Sequence, residues 1–251
     1  MRRSGLIDDL IAAAAANSGP ARDVRVGVSW TAVHGKYCGL AKTYGIPVRH
    51  GNYTRNMGNL IGMTTLDLAD YAQSWNLVEA SIGCAAILAM TPPPPGNDDI
   101  NAREIILERG AGARVVMVGA FPFADALRSA ARELYVLELG QEQIDPGRRV
   151  LPESAADYVI PDCDLLVVTG STLINKSLER FLALARQGNP YTIVLGPSTV
   201  MSEVLFDYGA HMLAGAVVTN AQAILNKLSQ SGGMLESRVC PGEIAFKVMQ
   251  R

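Results

Sequence analysis

The sequence predicts an α/β protein. A small N-terminal α+β unit, residues 1–95, is followed by a Rossmann-like domain with a mainly parallel sheet, residues 96–251. Two observations carry this reading. The run Thr91-Pro92-Pro93-Pro94-Pro95-Gly96-Asn97-Asp98-Asp99 is a stiff, extended connector ending in polar turn residues. The rhythm of the chain also changes across it. Strand patterns are followed by helix patterns before the prolines, whereas apolar runs and helical segments alternate after them.

In chain order, the stretch MRRSGLIDDLIAAAAANSG has Asp8 and Asp9 inside what would be the apolar region of a signal peptide. It reads instead as an amphipathic first helix ending at Asn17-Ser18-Gly19-Pro20. Val24–Trp30 and Tyr37–Tyr44 read as paired strands with TAVHG as the turn. Leu60, Met63, Leu66 and Ala69 mark one helix, and Leu77, Ala80, Ser81, Cys84 and Leu88 mark a face of a second. After the connector, Val115–Val118, Leu134–Leu139, Leu165–Val168, Thr192–Leu195 and Met212–Val218 are strand-like runs. Helical segments at Phe123–Ala131, Leu173–Ala185 and Ala221–Ser229 separate or follow them. Continuously apolar strands of this kind belong to a parallel sheet covered on both faces.

Composition narrows the function. Of 251 residues, 49% are hydrophobic and 18% charged, with a net charge of -2 and no basic run. This excludes nucleic acid and anionic membrane as expected partners. No apolar stretch is long enough to span a bilayer. Cys38, Cys84, Cys163 and Cys240 are far apart and form no C-x-x-C pair, which suits a reducing, cytoplasmic setting. Whether the chain pairs as a homodimer is left open.

The segment VVTGSTLINKS is one residue from the phosphate-binding loop G-x-x-x-x-G-K-[ST], with Asn175 at the second glycine. Such a loop must curl its backbone N–H groups around phosphates. Leu173 and Ile174 already belong to an apolar helical stripe, so a helix starting near Ser171 or Thr172 would carry Lys176 out of reach. That argues against ATP. What remains is a strand that closes at Thr169-Gly170-Ser171-Thr172 and opens a helix capped by Ser171 or Thr172.

Two other strands end alike, at Gly119 before Ala120-Phe121-Pro122 and at Gly196 before Pro197-Ser198-Thr199. Ligands of open parallel sheets bind at this carboxyl edge. Three such ends together predict a pocket. The first turn lacks the second and third glycines of G-x-G-x-x-G, and Phe121-Pro122 puts bulk where a pyrophosphate would approach, which argues against NAD. Glu138 stands where a ribose-binding acid would sit.

His34, His50 and His211 form no metal-ligand spacing, and no base can be assigned to Ser171 or Ser198. His34 lies in the TAVHGK turn, His50 in a loop and His211 before a strand, where a surface turn is expected. Cys163 and Cys240 have no evident basic partner in sequence.

The segments VMVGAFPF, LLVVTGSTLINKSLERFLALA, VLGPST followed by LFDYGAHMLAG, and NLVEASIGCAAILAM together resemble the "putative heavy-metal chelation" family. The resemblance runs over nearly the whole chain. It implies an enolase-N-terminal-like domain joined to a Rossmann-like domain, with a site in the cleft between them. Three positions depart from the family pattern: Ala120 before Phe-Pro, Lys176-Ser177 after Asn175, and Val200 after Ser198-Thr199.

The expected function is therefore binding of a small polar or anionic molecule, with a transition metal or metal chelate as candidate. Gly119, Gly170 and Gly196 would admit its close approach. Ser171, Thr172, Ser198 and Thr199 would donate hydrogen bonds, with Asn175 orienting ligand or loop and Phe121, Pro122, Glu138, Thr169 and Pro197 completing the pocket. The alternatives are an enzyme acting on a nucleoside-type or amino-acid-derived substrate held by Glu138, and a non-catalytic regulatory or scaffold protein.

Overall fold

The computed structural model describes residues 5–44, 54–95, 101–230, 232–233, 235–236 and 238–251. His50 and the polar turn expected at 96–99 lie outside the described residues.

Helix α1 (Leu6–Ala14) buries Leu6, Ile7, Leu10 and Ala14 and continues in a tight turn to Asn17, as its sequence predicts. Strands β1 (Asp23–Val26), β2 (Trp30–His34) and β3 (Cys38–Lys42) form an antiparallel sheet in that order. This corrects the expected hairpin, because most of TAVHG is the central strand and not a turn. The turns are at Gly27–Ser29 and Gly35–Tyr37, closed by Gly27 N–H to Trp30 O at 2.9 Å and Gly35 N–H to Tyr37 O at 2.8 Å. β2 is covered on both faces, so Thr31, Ala32 and Val33 are all buried and no alternation survives to signal a strand.

Helix α2 (Thr65–Ala69) is shorter than the pattern from Leu60 predicts. Thr64 and Asp67 form a reciprocal capping pair that fixes its start, leaving Leu60–Gly62 as a separate turn. Helix α3 (Leu77–Met90) starts where Asn76 Oδ1 accepts from Val78 N–H at 3.0 Å. From Glu79 to Met90 it is buried on every side.

The second part runs α4 (Ala102–Gly110), β4 (Arg114–Val118), α5 (Ala124–Ala130), β5 (Glu133–Glu138), β6 (Val150–Pro152) and α6 (Ala156–Val159). It continues with β7 (Leu165–Thr169), α7 (Leu178–Gly188), β8 (Tyr191–Leu195), α8 (Val204–Asp207), β9 (Met212–Val218), α9 (Ala221–Ser229) and β10 (Ile244–Gln250). Seven strands are ordered β10-β9-β8-β7-β4-β5-β6, all parallel except β10, which pairs antiparallel to β9. From β9 to β6 this is the order of doubly wound sheets, and it reverses direction between β4 and β7.

Successive strand residues serve opposite faces. Val116, Val118, Leu166, Val168 and Val194 join the core shared with α1 and α3, while Val115, Met117, Val167 and Ile193 pack with Ile106 and Leu127. Side chains from both parts thus fill one hydrophobic core. Among the described residues no helix is long and apolar enough to cross a membrane.

The helix expected from Leu173 begins only at Leu178. Gly170–Leu173 is a single tight turn, and Lys176 adopts a left-handed φ of 67° that no α-helix tolerates. Asn175 Oδ1 holds this break by accepting from Ser177 N–H at 3.2 Å and Ser177 Oγ–H at 2.7 Å.

Candidate functional site

A cleft of about 760 Å³ opens at the carboxyl ends of the parallel strands, where the strand order reverses. Gly119, Ala120 and Phe121 enter it from β4, Glu138 and the residues after it from β5, Thr169, Ser171 and Thr172 from β7, and Pro197 and Ser198 from β8. The small sheet and its helix supply the opposite wall through Trp30, Lys42, Tyr44 and Leu77. Glu153 closes one side.

The polar groups of the cleft are tied to one another. Ala120 N–H donates to Glu138 Oε1 at 2.5 Å, so the carboxylate at the end of β5 holds the loop after β4. That loop begins at Gly119 with φ 82°, and a Cβ there would stand 2.9 Å from Thr169 Cγ2, so both conformation and space call for glycine. Thr169 Oγ1 and Ser171 Oγ share a hydrogen bond of 3.0 Å, and Tyr44 O–H reaches Ser171 Oγ at 3.4 Å. Thr172 Oγ1–H donates to Thr169 O at 2.6 Å, and Ser198 Oγ accepts from Lys42 N–H at 2.9 Å. The two last bonds stitch the turn after β7 to its own strand and the loop after β8 to β3.

Burial is the main electrostatic influence. It raises the Tyr44 phenol, with Glu153 and Glu138 adding to the rise and the Ser171 hydrogen bond opposing it. Both carboxylates therefore act on the same hydroxyl. Burial also raises Glu153, against the pull of Arg180 and a bond from Ser177. Lys42 Nζ sits 5.4 Å above the Trp30 ring, a cation–π contact inside the cleft.

The structure gathers Gly119, Phe121, Glu138, Thr169, Ser171, Thr172, Pro197 and Ser198 around this space. The remaining expected residues stand outside its lining. Gly170 is buried against Thr199, where a Cβ would come within 2.6 Å of Thr199 N and Oγ1, so this glycine serves packing and not ligand approach. Thr199 itself is 1% exposed, and its hydroxyl has no hydrogen-bond partner. Gly196, with φ 115°, makes the turn out of β8, and Pro122 is exposed. Asn175 braces its own turn. Lys176 is directed to Ser74 O at 2.5 Å and lies 5.4 Å from the Trp75 ring centre, a geometry with no part in a phosphate loop.

Lys42, Tyr44, Trp30 and Glu153 escaped the sequence reading. The first three lie on the small sheet and the chain just after it, far in sequence from the glycine-ended strands. Glu153 follows β6, a strand of three residues that leaves almost no pattern.

His34 faces a different cavity, and His211 Nδ1 accepts from Thr192 N–H at 3.1 Å beside Tyr191. All four cysteines are free, and burial pushes the Cys38, Cys84 and Cys163 thiols up to about 12. Among the described residues no three of His, Cys, Asp and Glu gather as a metal centre would require.

Solved structures share this architecture. A protein of unknown function from Desulfitobacterium hafniense superposes with a TM-score of 0.81 at 24% identity, covering 98% of each chain. One from Pyrococcus horikoshii gives 0.77 at 22% identity, again over 98% of both. At these identities the likeness shows the fold alone. An uncharacterised protein of Methanocaldococcus jannaschii is 26% identical over 193 residues, 73% of this chain and 69% of that relative. Two family models, each described as "Putative heavy-metal chelation", match residues 7–91 and 101–239. The second match alone spans more than half of the 251 residues, and the chain belongs to the family so described.

Proposed function

We propose that the protein binds a small organic molecule in the cleft between the two sheets, and that a metal chelate is the ligand class that fits best. The observation that carries this is the cleft itself, about 760 Å³ with an aromatic and aliphatic wall and a few convergent polar groups. A bare ion needs a close set of donors, and among the described residues no such cluster exists. A chelate brings its own donors and asks of the protein only shape and hydrogen bonds. The family description supports the metal. Glu138, Glu142 and Glu153 outnumber Lys42 around the cleft, which favours hydrogen-bond donors or positive charge on the ligand over an anionic one. Residues 1–95 and 96–251 then act as two jaws, in keeping with the division at the prolines and with a soluble, cytoplasmic protein.

Calorimetry on chelator-treated protein tests this. Ni(II), Co(II) and Cu(II) are titrated alone and as their histidine and citrate complexes, with Tyr44→Phe and Glu138→Gln beside the parent. Binding of a complex and not of the free ion is expected, weakened about tenfold or more by loss of the Tyr44 hydroxyl or of the Glu138 charge. Equal binding of free and complexed metal, unchanged in both variants, would abandon the reading.

One arrangement favours a second reading, a nucleoside-type substrate. Gly119 with positive φ ends the strand at the switch point, and Glu138 ends the neighbouring strand, where an acid can hold a pair of ribose hydroxyls. Binding or turnover of adenosyl compounds without metal distinguishes it.

A further inference from the structure

We infer that a second cavity, behind the β2–β3 hairpin, binds a small organic carboxylate, its apolar body on the cavity floor and its charge at Lys36. The cavity measures about 240 Å³ and shares no lining residue with the cleft. Its walls are the β2–β3 turn, the end of α3, Pro92–Pro94, Met201 and the end of β9.

Floor and rim differ in chemistry. Leu88 and Met201 are buried and form the floor. A Cβ on Gly215 would stand 2.9 Å from Met201 Sδ, so Val217, two residues further along β9, projects to the same side. Burial raises the Cys38 thiol to about 12, so it stays an S–H and extends the apolar wall. Proline has no N–H, and Pro92–Pro94 therefore offer this space no donor. The Thr91 and Thr219 hydroxyls are already spent, each donating to a backbone carbonyl at 2.9 Å. The side-chain donors that remain, on His34, Lys36 and Tyr37, all belong to the hairpin.

Charge selects the ligand. Lys36 is exposed at the rim, where its ammonium donates to Asn17 Oδ1 at 2.5 Å and lies 5.7 Å from the Tyr37 ring centre. Both partners are uncharged, so its positive charge stays available. Tyr37 N–H donates to Ala89 O at 3.0 Å, which ties the turn carrying Lys36 to the end of α3. Among the described residues no Asp or Glu lines the cavity. Asp23 stands opposite His34 in the β1–β2 ladder, yet both its oxygens are held by Arg25, at 2.7 and 2.8 Å. Burial and the Arg22 charge hold His34 below its ordinary value, so near neutral pH it is an uncharged donor. The cleft, with three carboxylates and one lysine, has the opposite sign. One lysine and one neutral imidazole suit a single negative charge, whereas phosphate sites gather guanidinium forks or nests of backbone N–H groups. An apolar cavity of about 150 Å³ takes a benzene ring. A space of 240 Å³ therefore holds a ring or short chain together with its carboxylate.

Calorimetry with benzoate and hexanoate, each beside its neutral amide, tests the assignment, with circular dichroism melts confirming that each variant is folded. One carboxylate per chain should bind, at about 1 mM or tighter for so small a ligand, and the amide about tenfold more weakly. Lys36→Met should lose the preference for acid over amide, while Lys36→Arg should keep most of it. Val217→Phe fills the cavity and should abolish binding of both. The cleft variants Tyr44→Phe and Glu138→Gln should bind like the parent. Equal binding of acid and amide by the parent, or binding unchanged in both Lys36→Met and Val217→Phe, would overturn the assignment. Loss of binding in the cleft variants would overturn it as well, by moving the carboxylate to the cleft.

Discussion

The three-stranded sheet meets α3 through glycine and alanine, whereas the seven-stranded sheet is filled by branched and aromatic side chains. In the first unit a Cβ on Gly39 would stand 2.1 Å from Ala85 O, and one on Gly83 would stand 1.9 Å from Ala72 N. Ala80, Ala85, Ala86 and Ala89 complete a helix packed on all sides. In the second, Leu166, Val167, Phe181 and Ile193 are fully buried and interdigitate across two layers. Backbone-to-backbone contact leaves no room for an added atom. Side-chain packing, in contrast, fails when atoms are removed.

Substitutions can break this contrast. The largest effect is expected for Phe181→Ala, at about 3–5 kcal/mol in urea unfolding, because it empties the biggest fully buried position. Gly83→Ala adds a single carbon and should still cost about 1–3 kcal/mol by overpacking, read from the same midpoint shift. A neutral Gly83→Ala would show that the first unit has slack, and the contrast would fall. Thr172→Val should cost about 0.5–1.5 kcal/mol, since it deletes the bond to Thr169 O and not a free donor in the cleft. Its melting temperature should drop before any ligand affinity does.

The smallest effect belongs to Glu153. Burial raises this carboxyl, so its contribution to stability is complete below the ordinary value of 4.5 and is lost as pH climbs through the raised value. Glu153→Gln should therefore melt higher than the parent near neutral pH. The gap should close when melts are repeated below the ordinary carboxyl value.

The same contrast explains what could be read from sequence. β4, β5, β7, β8 and β9 each have a mainly apolar centre, and each stands where those runs predict it. The small sheet carries no such signal, because β2 is buried on both faces, which erases the alternation that marks an ordinary antiparallel strand. α7 is strongly one-sided, yet its stripe predicts a start before Leu178, since nothing in it announces the left-handed Lys176. At the site, glycine-ended strands located one wall of the cleft. The other wall rests on tertiary contact: Tyr44 and Ser171 are 127 residues apart, as they stand in their hydrogen bond. No local signal joins them. The internal roles of Gly170 and Asn175 also emerge only when their neighbours are placed.

Helix α1 has a consequence for the order of folding. Leu6 N–H donates to Glu179 Oε2 across 173 residues, and Tyr208 O–H donates to Asp9 Oδ2 across 199. The seat of α1, begun by its packing on α3, is therefore completed only by residues far downstream. Closing so long a loop costs little more than closing one half its length, because the entropy grows with the logarithm of length. The delay lies in synthesis and search, since sequence-distant contacts form slowly. Until then the seat of Leu6, Ile7 and Leu10 is incomplete, and part of this apolar helix face stays exposed where a chaperone can hold it.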